Sequence, residues 1–86
     1  MPEISRFYGI VITMHYRDHA PPHFHAEYGD DELAVAISPP GELAGRLSRR
    51  ATAMVLDWAA IHERELLDAW QKARAKLPLP KIDPLP

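Results

Sequence analysis

Eighty-six residues, 47% of them hydrophobic, with a net charge of −2, suffice for one small domain with one core and are too apolar for a disordered chain. With no cysteine, disulfides, thiolate nucleophiles and cysteine-based zinc sites are excluded. The charge balance disfavours sequence-independent nucleic-acid binding, which needs a basic excess. The apolar runs are too short to span a membrane and the N-terminus has no secretory pattern, so a soluble cytoplasmic protein is expected.

Residues 1–6 read as a short lead-in. Residues 7–16 form a predicted strand, rich in β-branched and aromatic side chains, with Ile10, Ile12, Met14 and Tyr16 on one face. Residues 17–22 hold two prolines that cannot donate to a ladder, which predicts a loop. Residues 23–28 alternate cleanly: Phe24, Ala26 and Tyr28 toward the core, His23, His25 and Glu27 away from it. After the turn at Gly29-Asp30-Asp31, residues 33–38 give a third strand. Pro39-Pro-Gly41 turns the chain again, and residues 43–47 suit a short fourth strand.

From Ser48, a good N-cap, the period becomes helical. Met54, Val55, Trp58, Ile61, Leu66, Ala69, Trp70 and Ala73 make an apolar stripe that drifts between its halves, which predicts a bend or break near His62-Glu63. His62, inside the stripe, reads as a half-buried histidine satisfied by a backbone partner. Residues 77–86 hold four prolines and should be extended, on the domain or free of it. The expected architecture is a single α+β domain over 1–86: an antiparallel meander of three or four strands, one face covered by a long or bent C-terminal helix.

Four of the five histidines fall between residues 15 and 28, and the chemistry concentrates there. The tightest register of the first hairpin that keeps its apolar faces together sets Tyr16 opposite Phe24, Met14 opposite Ala26, His15 opposite His25, Arg17 opposite His23 and Thr13 opposite Glu27. His23 and His25 lie about 7 Å apart on one strand face, within reach of a single ion, whereas Glu27 is about 13 Å from His23. A metal set of His19, His23 and His25, with His15 or Asp18 as further donors, would suit zinc, nickel, copper or non-haem iron. The other reading gives His15, His23 and His25 to hydrogen bonding or partner contact. Asp18-His19 also has the form of a general-base pair, with water as the nucleophile, since no serine or cysteine is near. Arg49 and Arg50 open the helix, where its dipole disfavours cations, and are candidates for binding phosphate or an acidic partner. The third strand is apolar on both sides and one helix covers one face, so a homodimer, a partner or the proline-rich tail is expected over the histidine face.

Pro2-Glu-Ile-Ser-Arg-Phe-Tyr-Gly-Ile10, Asp18-His19, Pro21-Pro-His-Phe-His-Ala-Glu-Tyr28, Arg49-Arg50-Ala51, Trp58-Ala-Ala-Ile-His62, Glu65-Leu66, Trp70 and Lys81-Ile-Asp-Pro-Leu85 together resemble the bacterial domain-of-unknown-function family 4160. Ala20 stands where many relatives are expected to carry asparagine, which removes a polar contact from the loop. The resemblance implies a gene neighbour of another small family, 2442, in an arrangement similar to toxin–antitoxin modules. It therefore implies a small protein partner and supplies no catalytic residue. The reading that follows is a component of a two-gene toxin–antitoxin-like module acting by protein contact. The alternative is a metal-dependent hydrolase or nuclease built on the histidines, with a divalent transition metal as its cofactor.

Overall fold

Strict alternation over His23–Tyr28 makes the central strand. Phe24 and Ala26 are fully buried on one face, and His23, His25 and Glu27 are half-buried on the other. In the computed structural model, which describes residues 2–16 and 18–86, this strand is β3. It lies in the middle of a five-stranded antiparallel meander, β1 (Glu3–Phe7), β2 (Ile10–Thr13), β3, β4 (Asp31–Ile37) and β5 (Pro40–Gly45), whose strands neighbour one another in chain order. Two helices follow, α1 (Arg49–Ile61) and α2 (Glu63–Arg74).

The sheet has five strands because residues 3–6, expected to be a lead-in, form with Phe7 a strand of their own, and the expected first strand keeps only Ile10–Thr13 as β2. Tyr8 and Gly9 both adopt positive φ, 51° and 82°, the pairing that closes a two-residue hairpin with the right twist. Residues 3–7 do not alternate: a bulge at Glu3/Ser5 leaves Ile4, Ser5 and Phe7 all buried. That irregularity hides the strand from a period-two reading.

The register of β2 on β3 keeps the expected parity and slips by two residues. Val11 faces Glu27, Ile12 faces Ala26 and Thr13 faces His25. Parity had to hold, since a one-residue slip would bury the histidines and expose Phe24. The slip by two arises because β2 ends at Thr13, so Met14 and Tyr16 pair with neither Ala26 nor Phe24. The pairing expected of Arg17 lies outside the described residues. Tyr28, expected in the core, is 44% exposed at the end of its strand.

Phe24, Ala26, Leu33, Val35 and Ile37 form one side of the core and Val55, Trp58 and Ala59 of α1 the other. The Trp58 ring packs edge-on against Phe24 at 5.6 Å and tilted against Phe7 at 5.4 Å. Burying side chains of this size removes some 150–250 Å² of each from water and dominates the core's energetics. Ser48 caps α1 as expected, accepting the Ala51 N–H at 3.1 Å. The helical run breaks at His62, where φ −110° and ψ 24° leave the helical region. Ile61, placed on the apolar stripe by periodicity, is 63% exposed beside that break. Beyond it, α2 has Glu63 and Glu65 in its first turn and Lys72 and Arg74 in its last, both favourable to its dipole.

The proline-rich tail docks. Ile82 donates its N–H to the Ile4 carbonyl at 2.8 Å, Lys81 Nζ reaches the Glu3 carbonyl at 2.8 Å, and the Trp58 indole N–H donates to the Asp83 carbonyl at 2.8 Å. The tail therefore lies along β1, against the same tryptophan that packs on Phe24. It does not cover the histidine face. No helix among the described residues is long and apolar enough to cross a membrane.

Candidate metal centre

The sequence between β2 and β3 carries no periodic pattern, and Asp18 of this loop lies among the histidines. Asp18 Oδ2 lies 2.9 Å from His23 Nε2, 3.5 Å from His25 Nε2 and 3.9 Å from His15 Nδ1. The four side chains are between 12% and 31% exposed, so the knot is half-buried but reachable. Trp70 of α2 closes one side, its ring 5.3 Å from that of His23. The break at His62 lets the second helix reach the histidine side, which one straight helix over the other face would not do.

Each of the two strand histidines has its Nδ1 already engaged. His23 Nδ1 lies 2.8 Å from the Pro21 carbonyl, which can only accept, so this nitrogen carries the proton. His25 Nδ1 lies 2.8 Å from Glu32 Oε2. In the neutral rings the Nε2 lone pairs then point at the Asp18 carboxylate. Lone pair against carboxylate at 2.9 Å repels unless a proton or a cation lies between. A tetrahedral ion with bonds of about 2.0–2.1 Å sets its ligand atoms roughly 3.3 Å apart, and the two separations from Asp18 Oδ2, 2.9 and 3.5 Å, bracket that spacing, while His23 does not share the group of ligand atoms that all lie within 4.8 Å of one another. The His23 and His25 rings are 5.2 Å apart and inclined at 68°.

His15 is different. Ligand atoms of His15, Asp18 and His25 all lie within 4.8 Å of one another, yet the His15 ring is stacked on His25, 4.1 Å away and tilted by only 15°. An ion in the plane of one ring is out of the plane of the other, so His15 forms a wall of the site. Among the described residues its Nε2 is buried without a partner, as is Thr13 Oγ1 on the same face. Burial, then the neighbouring His25, holds the His15 pKa below its ordinary value, outweighing the pull of Asp18 and Glu32. For Asp18, burial would raise the pKa. The His19 backbone N–H and the imidazoles of His23, His25 and His15 outweigh it and hold the carboxyl below its usual range.

His19 is the correction. Its side chain is exposed, and only its backbone N–H meets Asp18, donating to Oδ1 at 3.0 Å. The expected Asp18–His19 general-base pair is therefore not formed between carboxylate and imidazole. His19 therefore drops out of the expected cluster, because the loop turns Asp18 inward and His19 out; the ligand atoms that lie mutually within 4.8 Å are those of His15, Asp18 and His25, and His23 joins them through Asp18 Oδ2. Arg49 and Arg50 are exposed and line two surface clefts. One lies with Glu42 and Leu56, the other with Tyr8 and Tyr28, and neither shares a residue with the histidines. His62 is half-buried as expected, but its partner is the Glu65 carboxylate at 2.6 Å and not a backbone group.

Glu32 is not among the residues that the sequence pattern singles out. Its contact was accessible from sequence: a turn at Gly29-Asp30 sets His25 opposite Ala34 and makes Glu32 its diagonal neighbour on the same face. The role of the Pro21 carbonyl has no sequence signal, since it depends on the path of the loop.

A family model described as a domain of unknown function, DUF4160, matches residues 9–71 of the chain. No curated protein and no solved structure matches it.

Proposed function

The chain belongs to the DUF4160 family, and for this member we propose a divalent transition-metal centre, held by Asp18, His23 and His25, that serves hydrolysis by water. The observation that carries it is the convergence of two imidazole Nε2 atoms on one Asp18 oxygen at 2.9 and 3.5 Å, with both Nδ1 atoms already tied back to Pro21 and Glu32. A histidine that ligates a metal commonly gives its other ring nitrogen to a carboxylate or backbone carbonyl, which fixes tautomer and orientation. Both partners are present here.

Three protein donors leave a coordination position for water, the pattern of hydrolytic rather than structural sites. Bound there, the metal would supply Lewis acidity and a water of lowered pKa. Asp18 and the two histidines hold the position, and Trp70 and His15 wall it. With no serine or cysteine in the cluster, water is the nucleophile the side chains allow. Nitrogen and carboxylate donors without sulfur suit zinc, nickel or iron(II).

The test is elemental analysis of protein purified without a histidine tag, followed by calorimetric titration of zinc, nickel and iron(II) on wild type and His25→Ala. The wild type should take up one equivalent and His25→Ala none, with unchanged circular dichroism. The loaded protein is then assayed on an RNA oligonucleotide and an activated ester. A wild type with neither bound nor titratable metal overturns the reading. That result would return the histidines to the partner contact that a toxin–antitoxin-like module calls for.

A further inference from the structure

Resting on that metal-centre reading, we infer that Glu32 is its positioning residue: it sets the tautomer of His25 and so presents Nε2 to Asp18. Glu32 acts through His25, 2.8 Å from Nδ1.

Three observations separate this from an incidental surface contact. The residue directly across from Glu32 in the β3–β4 ladder is Glu27, and like charges facing each other across a sheet destabilise it. No lysine or arginine among the described residues is within ion-pair distance of Glu32; His25 is its partner. A carboxylate at this position therefore works against the sheet and for the histidine. The backbone beneath it is also held: Arg46 donates its N–H to the Glu32 carbonyl at 2.9 Å. Gly45, at φ +87°, makes that approach feasible, since a Cβ there would run into the same carbonyl. β5 thus fixes the base of the side chain whose tip holds His25.

The chemistry is specific. A neutral imidazole has two tautomers, and only the form protonated at Nδ1 leaves a lone pair on Nε2. A carboxylate accepting at Nδ1 selects that form, orients the ring and makes Nε2 more basic toward a metal. Without it the ring is free to take the other tautomer, which turns an N–H toward the centre.

The experiment is zinc calorimetry on wild type, Glu32→Ala, Glu32→Gln and Glu27→Gln, together with long-range proton–nitrogen spectra of the imidazoles in the metal-free proteins. Glu32→Ala should weaken zinc binding about 10- to 100-fold. Glu32→Gln, whose amide oxygen still accepts from Nδ1, should lose less. Glu27→Gln, which removes the opposing charge without touching His25, should leave affinity unchanged. In the spectra, His25 should be locked with its proton on Nδ1 in wild type and become mixed in Glu32→Ala. Zinc affinity unchanged in Glu32→Ala, or the same tautomer mixture with and without Glu32, overturns the inference. A wild type that takes no zinc overturns the metal centre instead, and the spectra then decide Glu32 alone.

Discussion

The two faces of β3 obey different physics on one backbone. Phe24 and Ala26 are wholly buried against Trp58 and its neighbours, where stabilisation is non-directional and scales with apolar area. His23 and His25, one residue along in each case, are held by directional contacts to Pro21, Glu32 and Asp18. Beside them, among the described residues, His15 Nε2 and Thr13 Oγ1 are buried without partners, and so is Ser5 Oγ on the aromatic face, where its pairing with Ile12 puts it. Unsatisfied buried polar groups cost stability, and two of these three atoms lie on the histidine face, which has no apolar packing like that around Phe24 to offset them. A face that gives up stability in this way is where function should be sought.

The sharpest way to break the comparison is to exchange one residue on each face. Phe24→Ala should lose about 3–5 kcal/mol of unfolding free energy, read by denaturant titration, and its zinc affinity should fall only as the folded fraction does. His25→Ala should remove zinc binding while costing about 1 kcal/mol or less, as expected of a half-buried group away from the core. If His25→Ala destabilises as much as Phe24→Ala, both faces are structural and the contrast fails.

What was legible in the sequence follows the same division. The aromatic face was plain: alternation from His23 to Tyr28 fixes the strand, and the stripe through Val55 and Trp58 marks the helix that covers it. The break at His62 showed as drift in that stripe. Asp18 was not distinguishable from His19 as the inward residue, because both lie in an aperiodic loop where no alternation assigns a side. The same holds for the slip of β2 on β3, since parity is enforced by burial but the choice among registers of one parity is made by where the loop leaves the ladder. His15 nevertheless comes beside His25, by stacking rather than by facing it across the ladder.

Acidification sharpens the comparison further. The folded-state pKa of His15 lies below its ordinary 6.5, so the unfolded chain binds this proton first. The contribution is therefore complete above pH 6.5 and lost as pH falls through the lower folded value. Asp18, also depressed, adds a second loss below its ordinary 3.8. Metal-free protein should lose unfolding free energy between mildly alkaline and mildly acidic buffer, and His15→Phe should flatten that slope. A slope unchanged in His15→Phe would assign it elsewhere.

The smallest effect concerns Thr13. Replacing its orphaned hydroxyl with a methyl in Thr13→Val removes a buried polar group without changing shape. The variant should be as stable as wild type or more so by up to about 1 kcal/mol, measured by thermal and denaturant unfolding. A clear loss of stability would show that the hydroxyl has a partner, and would weaken the contrast between the faces.

The docking of the tail on β1 has a kinetic consequence. Lys81 and Glu3 stand 78 positions apart in the chain and are joined by one hydrogen bond, with Ile82 and Ile4 joined by another beside it. Contacts so distant in sequence close the largest loop in the molecule and are slow to form. Few bonds hold them, so they should also open without the sheet opening. The Ile82 amide should therefore exchange with deuterium well before the amides of the β3–β4 ladder, while the Trp58 indole, released from Asp83, exchanges in step with it. The ends of the chain would then be the last part of the protein to arrive and the first to leave.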